Sequence, residues 1–163
     1  MNLPVGTPKI QGKKVDGFKL IESSTDYLNQ NFTGYIVMTI EAGNGLEEGI
    51  LFFKKGEIVA SIYEFSKHEL ILYGDKAVNL SFNAGAALKG IVDVYALTTQ
   101  QIDLVTAFNE KTLLSEKIGL DKIRNFKVSF FNEKLAEESL KKVSGKEETK
   151  YEILKRLGLG KMA

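Results

Sequence analysis

The sequence predicts an α+β fold: an antiparallel sheet of four to five strands with helices packed on it, followed by a helical C-terminal extension. Three observations predict it. Residues 32–65 alternate apolar runs with glycine-rich turns, as a three-stranded meander does. Residues 91–97 are rich in β-branched side chains, which favours a further strand. Segments 75–88 and 98–109 carry the start signals and apolar spacing of helices.

The N-terminal segment permits two interpretations. The first 20 residues hold both prolines and three glycines, which indicates either a flexible arm or an edge strand over residues 14–21. A short helix is expected over residues 23–31, because Ser23 or Ser24 is a good N-cap.

The meander carries the strongest local signals. We expect strands at Thr33 to Glu41, Glu48 to Lys54 and Glu57 to Phe65. The second strand contains an unbroken apolar run over residues 50–53, which favours a sheet covered on both faces, by a helix on one and by another helix or a partner on the other. The alternative is a half-buried sheet with incidental apolar groups on its surface. Residues 66–73 fit either a further strand or a loop.

Two helices are expected to pack on this sheet. The small residues at 84–87 would let the helix over residues 75–88 lie close to the strands. Thr98 and Gln101 have the spacing of a capping box, which predicts the start of the helix over residues 98–109.

The C-terminal part is predicted to be separate from the core. Residues 126–131 alternate as a last strand would, and residues 133–142 read as a charged helix. We therefore divide the chain into an α+β core domain, residues 1–131, and a helical extension, residues 132–163. An amphipathic stripe in the extension is the predicted partner-binding surface: Tyr151, Ile153, Leu154 and Leu157.

The composition narrows the functional classes. The 163 residues are 44% apolar and 26% charged, as in an ordinary globular domain, and no apolar run approaches the roughly 18 residues that cross a bilayer. The chain has no cysteine and one histidine, so thiol nucleophiles and metal sites built on thiolates or several histidines are excluded. We expect no cofactor and no metal. The absence of cysteine and of a secretory-type N-terminus predicts a cytoplasmic protein.

Few residues carry candidate chemistry. Glu47 and Glu48 follow a glycine-rich turn, as a Mg²⁺-binding pair can, but neighbouring strand residues point to opposite faces, which favours a solvated hairpin end. The single histidine, His68, is expected in a surface loop. Asp93 stands alone in an apolar strand, where it either faces water, bonds to Lys89 or a backbone group, or contacts a ligand. Acidic residues interrupt the C-terminal lysines, which argues against nucleic-acid binding.

The meander and the segments after it resemble a family of uncharacterised archaeal proteins that is known only as a domain of unknown function. The resemblance spans residues 15–115 and is carried by five runs: FTGYIVMTI at 32–40, EEGIL at 47–51, KGEIVA at 55–60, GIVDVY at 90–95 and LTTQQ at 97–101. More distantly, the scheme is similar to PATAN-type domains found beside bacterial response regulators. That likeness implies an interaction module in signalling.

Two functions follow as expectations. The first is a non-enzymatic, self-associating interaction or adaptor module whose sheet edge or terminal helix receives a protein partner, possibly a second copy. The second is a domain that binds a small ligand or anion in a pocket between the sheet and the helix over residues 75–88. Its polar contacts would be Asn79, Asn83 and Asp93. An enzymatic activity is the third expectation, after these two.

Overall fold

The structure, a computed structural model, describes residues 2–143. The chain divides into two compact units, Met1–Phe131 and Asn132–Ala163, which we describe separately. In the second unit, residues 133–143 are helical. The predicted partner-binding stripe at residues 151–157 lies outside the described residues.

The first unit contains seven strands and four α-helices. The strands are β1 Thr7–Lys14, β2 Gly34–Ala42, β3 Gly45–Lys54, β4 Glu57–Phe65, β5 Leu70–Tyr73, β6 Gly90–Ala96 and β7 Leu113–Ile118. The helices are α1 Leu20–Asn29, α2 Asp75–Ala84, α3 Thr99–Phe108 and α4 Leu120–Ile123. Short 3₁₀ turns cover Val15–Gly17, Ser66–His68 and Glu110–Thr112.

All the strand pairs are antiparallel, in the order β1-β6-β2-β3-β4-β5, and β7 also pairs with β4. The predicted antiparallel α+β fold is confirmed, and the predicted meander corresponds to β2, β3 and β4. The expected strand number was too low. The additional strands are edge strands. β1 and β7 pair with strands distant in sequence, as when Thr7 of β1 lies opposite Ala96 of β6, whereas β5 forms a short hairpin with β4.

Two predictions at the ends of the first unit were wrong. Residues 7–14 form β1 rather than a flexible arm, and the strand proposed at residues 14–21 lies earlier in the chain. Residues 126–131 form no strand. The outer edge of β4 already pairs with β5 and β7, and the Phe126 ring instead stacks on Phe82 of α2 with centroids 4.3 Å apart.

One face of the sheet, here the α2 face, is covered by α1 and α2. Strand residues pointing to this face are completely buried, among them Ile36, Met38, Leu51 and Phe53. The close approach of α2 depends on Gly49, because a Cβ atom there would lie 3.2 Å from the Ser81 Cα. The small residues at 84–87 were predicted to let the helix lie close to the strands. Of these, Gly85 packs against α1, since a Cβ there would lie 2.4 Å from the Leu20 side chain.

The opposite face, here the α3 face, is only partly covered. Ile102 and Val105 of α3 pack on a cluster that includes Tyr35, Ile50 and Phe52, and Leu3 packs against the same cluster. The predicted capping box is present, since the Thr98 hydroxyl accepts from the Gln101 backbone while the Gln101 side chain accepts from the Thr98 backbone. The predicted cover on both faces is therefore confirmed for the α2 face and for one half of the α3 face.

Candidate functional site

The uncovered half of the α3 face is the candidate site. Leu46 and Ile91 are 55% and 45% exposed there, although both are apolar strand residues. Three half-buried carboxylates lie among them, from Glu48, Glu64 and Asp93. Tyr35, Val37 and Ile50 point to the α3 face. Because side chains alternate along a strand and the strands are paired in register, the two apolar residues and the three carboxylates point to the same face. We call Leu46, Glu48, Glu64, Ile91 and Asp93 the acidic face.

The β2–β3–β4 register brings like charges together. Glu48 of β3 and Glu64 of β4 are directly opposite, at a separation where cross-strand side chains interact and where like charges destabilise a sheet. Burial raises the pKa of Glu48 above its ordinary value, and the neighbouring Glu64 carboxylate raises it further. The Thr39 hydroxyl lies 3.5 Å from Glu48 Oε2, and its hydrogen bond lowers the pKa of Glu48.

Asp93 occupies the other side of the acidic face. Its Oδ1 accepts a hydrogen bond of 2.7 Å from the backbone N–H of Gly12 in β1. The interpretation that Asp93 bonds to a backbone group is thus confirmed. Within residues 2–143, none of the three acidic-face carboxylates has a lysine or arginine nitrogen within 4.0 Å.

A Glu48→Gln substitution is expected to stabilise the protein by roughly 0.5–1 kcal/mol at pH 7, a value reduced because the carboxylate is partly solvated. The folded pKa of Glu48 is raised, so the folded state binds more protons than the unfolded state. Wild-type stability therefore falls as pH rises from the ordinary value of 4.5 through the folded pKa. The gain should shrink towards zero below about pH 4, measured by urea denaturation at several pH values.

The exposed Glu110→Gln substitution is the control, with an expected change within about 0.5 kcal/mol at every pH. Equal stability of Glu48→Gln and wild type at pH 7 would show that Glu64 does not strain the sheet.

A second polar cluster lies on the α2 face and is completely buried. Glu47 was predicted at a solvated hairpin end, but its side chain has no exposed surface and accepts a hydrogen bond from the Tyr63 hydroxyl. Burial and the Glu47 carboxylate raise the pKa of Tyr63 well above its ordinary value. Nearby, the Ser61 and Ser81 hydroxyls lie 3.2 Å apart between β4 and α2. Alternation along β3 puts Glu47 on one face with Leu51 and Phe53, but the equally apolar Ile50 and Phe52 share the other face with Glu48, so alternation does not identify the buried carboxylate.

The predicted ligand contacts do not form one site. Asn79 is exposed on α2, and Asn83 is buried on the same helix. Asp93 lies on the α3 face, across the sheet from α2. The sheet therefore separates the two asparagines from the carboxylate.

Two open clefts lie elsewhere. One of about 380 Å³ is formed by the start of α1, the end of α2 and residues 128–129, with Asp16, Lys19 and Glu22 at its wall. Another of about 480 Å³ lies between residues 5–7 and the start of α3. Neither is a pocket between the sheet and α2, because the first contains no strand residue and the second is remote from α2.

Other chemistry is limited in the part of the chain that the structure describes. No group of three or more histidine, aspartate or glutamate side chains there is arranged to hold a metal ion. His68 is exposed in a 3₁₀ turn, as predicted. None of the helices in residues 2–143 has the length and hydropathy needed to cross a membrane.

Comparison with protein-family models shows which family the chain belongs to. The model of a family described as uncharacterised proteins conserved in archaea, DUF2226, matches residues 1–109. The chain belongs to this family. The DUF2226 match ends one residue after α3, so it includes the complete acidic face and the predicted archaeal resemblance is confirmed.

No match was found among curated proteins or solved structures. None of the comparisons shows the likeness to PATAN-type domains, which stays a prediction. The description of the DUF2226 family names no function.

Proposed function

We propose that this DUF2226 protein is a non-enzymatic interaction module that binds a protein partner through the acidic face. The observation that carries the proposal is the unequal cover of the α3 face. One half lies under Leu3 and the apolar side of α3. The other half leaves Leu46 and Ile91 exposed beside two opposed glutamates. Protein interfaces combine apolar side chains with a polar rim, and the open half of the face carries both kinds of side chain.

The sheet edge is a weaker candidate for partner binding. β1 is the outermost strand on its side of the sheet, so it has one unpaired edge. It carries Pro8, two register irregularities and three lysines, all of which hinder addition of another strand. The acidic face lacks these features. We therefore place the partner on the face rather than on the β1 edge.

Self-association requires a different surface. A two-fold symmetric contact places the same patch of both copies together, and here it would bring the Glu48–Glu64 pairs of two copies face to face. Leu104 and Phe108, 58% and 83% exposed on α3, are an apolar pair without this repulsion. Ligand binding between the sheet and α2 is the weaker alternative, because Asn79, Asn83 and Asp93 lie on two sides of the sheet.

Affinity capture from an archaeal cell extract tests the proposal with three baits. We expect wild type and Leu104→Ser to retain the same protein, and Leu46→Ser/Ile91→Ser to retain at least tenfold less of it. The three positions changed, Leu46, Ile91 and Leu104, are exposed apolar residues, so the substitutions should preserve the fold, which circular dichroism checks. Equal retention by all three baits would refute binding through the acidic face. Native mass spectrometry of the same samples reports the number of subunits.

A further inference from the structure

The charge on the acidic face is unbalanced. Its three carboxylates have no ion-pair partner within residues 2–143. At the rim, register places Glu41 beside Leu46 and Lys14 beside Ile91. Lys67 lies beside Gly45, and the Lys89 backbone accepts a hydrogen bond from Glu41, so the rim carries charges of both signs. The excess of negative charge comes from the three carboxylates of the face itself.

This excess restricts what can cover the face. A neutral partner would remove water from the opposed Glu48 and Glu64 without replacing it by a counter-charge, which is costly. An acidic partner would add repulsion. A partner with lysine or arginine side chains relieves the repulsion that the folded protein already contains, so complementary charge favours a basic partner.

The spacing of one row of residues across the open half of the α3 face suits a helix. Ile91, Thr39, Glu48 and Glu64 are mutually in register across β6, β2, β3 and β4. Neighbouring strands are about 4.8 Å apart, so the row spans roughly 14 Å. Successive turns of an α-helix rise about 5.4 Å, so a helix along this row presents one side chain to each strand in turn. α3 already packs as a helix on the other half of the same face.

We infer that a basic amphipathic helix of a partner protein docks on the acidic face, with an apolar residue against Ile91 and lysine or arginine residues against Glu48 and Glu64. The inference rests on the proposed function and adds the chemistry of the partner. The docked helix would continue the layer that α3 begins, so that helices cover both halves of the α3 face.

Two blocked 14-residue helical peptides test the inference, one of leucine, alanine and lysine and the other with glutamate at every lysine position. Each is titrated into the full chain while amide resonances are followed by NMR. We expect the lysine peptide to shift resonances of residues 39, 48, 64, 91 and 93, and the glutamate peptide to shift none of them. Raising NaCl from about 0.05 to 0.5 M should weaken lysine-peptide binding at least tenfold.

Variants separate this inference from the proposed function. Glu48→Gln/Glu64→Gln should weaken binding of the lysine peptide at least tenfold, whereas Glu110→Gln, which removes an exposed carboxylate outside the acidic face, should leave it unchanged. Equal binding of both peptides to the acidic face would refute the inference that the partner is basic. It would not contradict the proposed function as an interaction module. Absence of lysine-peptide shifts on this face would also overturn the inference. The capture experiment decides the proposed function independently, because its variants change apolar residues and leave the carboxylates in place.

Discussion

Replacing Gly34 by alanine is expected to cost more than about 3 kcal/mol in the free energy of unfolding. Gly34 begins β2 and is buried between β3 and β6. A Cβ atom at this position would lie 2.1 Å from the backbone oxygen of Tyr95 and 2.6 Å from the Phe32 ring. The oxygen belongs to the paired strand, so relief requires β2 and β6 to separate. Overpacking that moves backbone atoms belongs to the most destabilising class of single substitutions.

Urea denaturation followed by circular dichroism measures the change. Gly17→Ala is the matched control, because a Cβ atom there would have no neighbour within 4 Å. We expect that control to change stability by less than about 0.5 kcal/mol. A Gly34→Ala protein as stable as Gly17→Ala would mean that β2 and β6 are not paired closely at this end.

Tyr63→Phe is expected to cost about 1–3 kcal/mol, the second large effect. The substitution keeps the aromatic ring and removes the hydroxyl that donates to the buried Glu47 carboxyl. A buried polar group that loses a hydrogen-bond partner retains its desolvation penalty, so the loss exceeds the value of an exposed hydrogen bond. Tyr95→Phe is the control: Tyr95 is half-buried, and within residues 2–143 its hydroxyl accepts only one exposed hydrogen bond, of 3.5 Å from Gln11 Nε2. That control should cost less than about 0.5 kcal/mol.

A double-mutant cycle isolates the Glu47–Tyr63 contact. Residues that share a hydrogen bond give interaction energies of about 0.5–3 kcal/mol. The double variant Glu47→Leu/Tyr63→Phe should therefore be destabilised by at least about 1 kcal/mol less than the sum of the two single variants. Simple additivity would contradict a direct hydrogen bond between the two side chains.

The elements predicted correctly are those with complete local signals. The Gly43-Asn44-Gly45 and Lys55-Gly56 turns define the hairpins between β2, β3 and β4, and the Thr98–Gln101 capping box starts α3. The missed strands β1 and β7 have no such signals. They are edge strands, and each is stabilised by hydrogen bonds to a partner elsewhere in the chain, as in the pairing of Leu113 with Ala60.

The candidate site was predictable only in part. The sequence showed that Glu47 and Glu48 point to opposite faces, but not which face is closed. Glu47 is buried because α1 and α2 cover its side of the sheet, whereas Glu48 lies on the half of the α3 face that no helix covers in residues 2–143. Asp93 was singled out correctly as unusual, but its grouping with Asn79 and Asn83 ignored the sheet that separates them.

The sequence by itself therefore determined the antiparallel meander, the start of α3 and the absence of thiol chemistry. Only the tertiary structure decided where the acidic face lies. The physical reason is size: the ten residues of α3 form a helix about 15 Å long and about 10 Å wide, whereas strands of nine or ten residues extend for roughly 30 Å. One helix of that length covers half of the face, and the half that it leaves open holds the opposed glutamates.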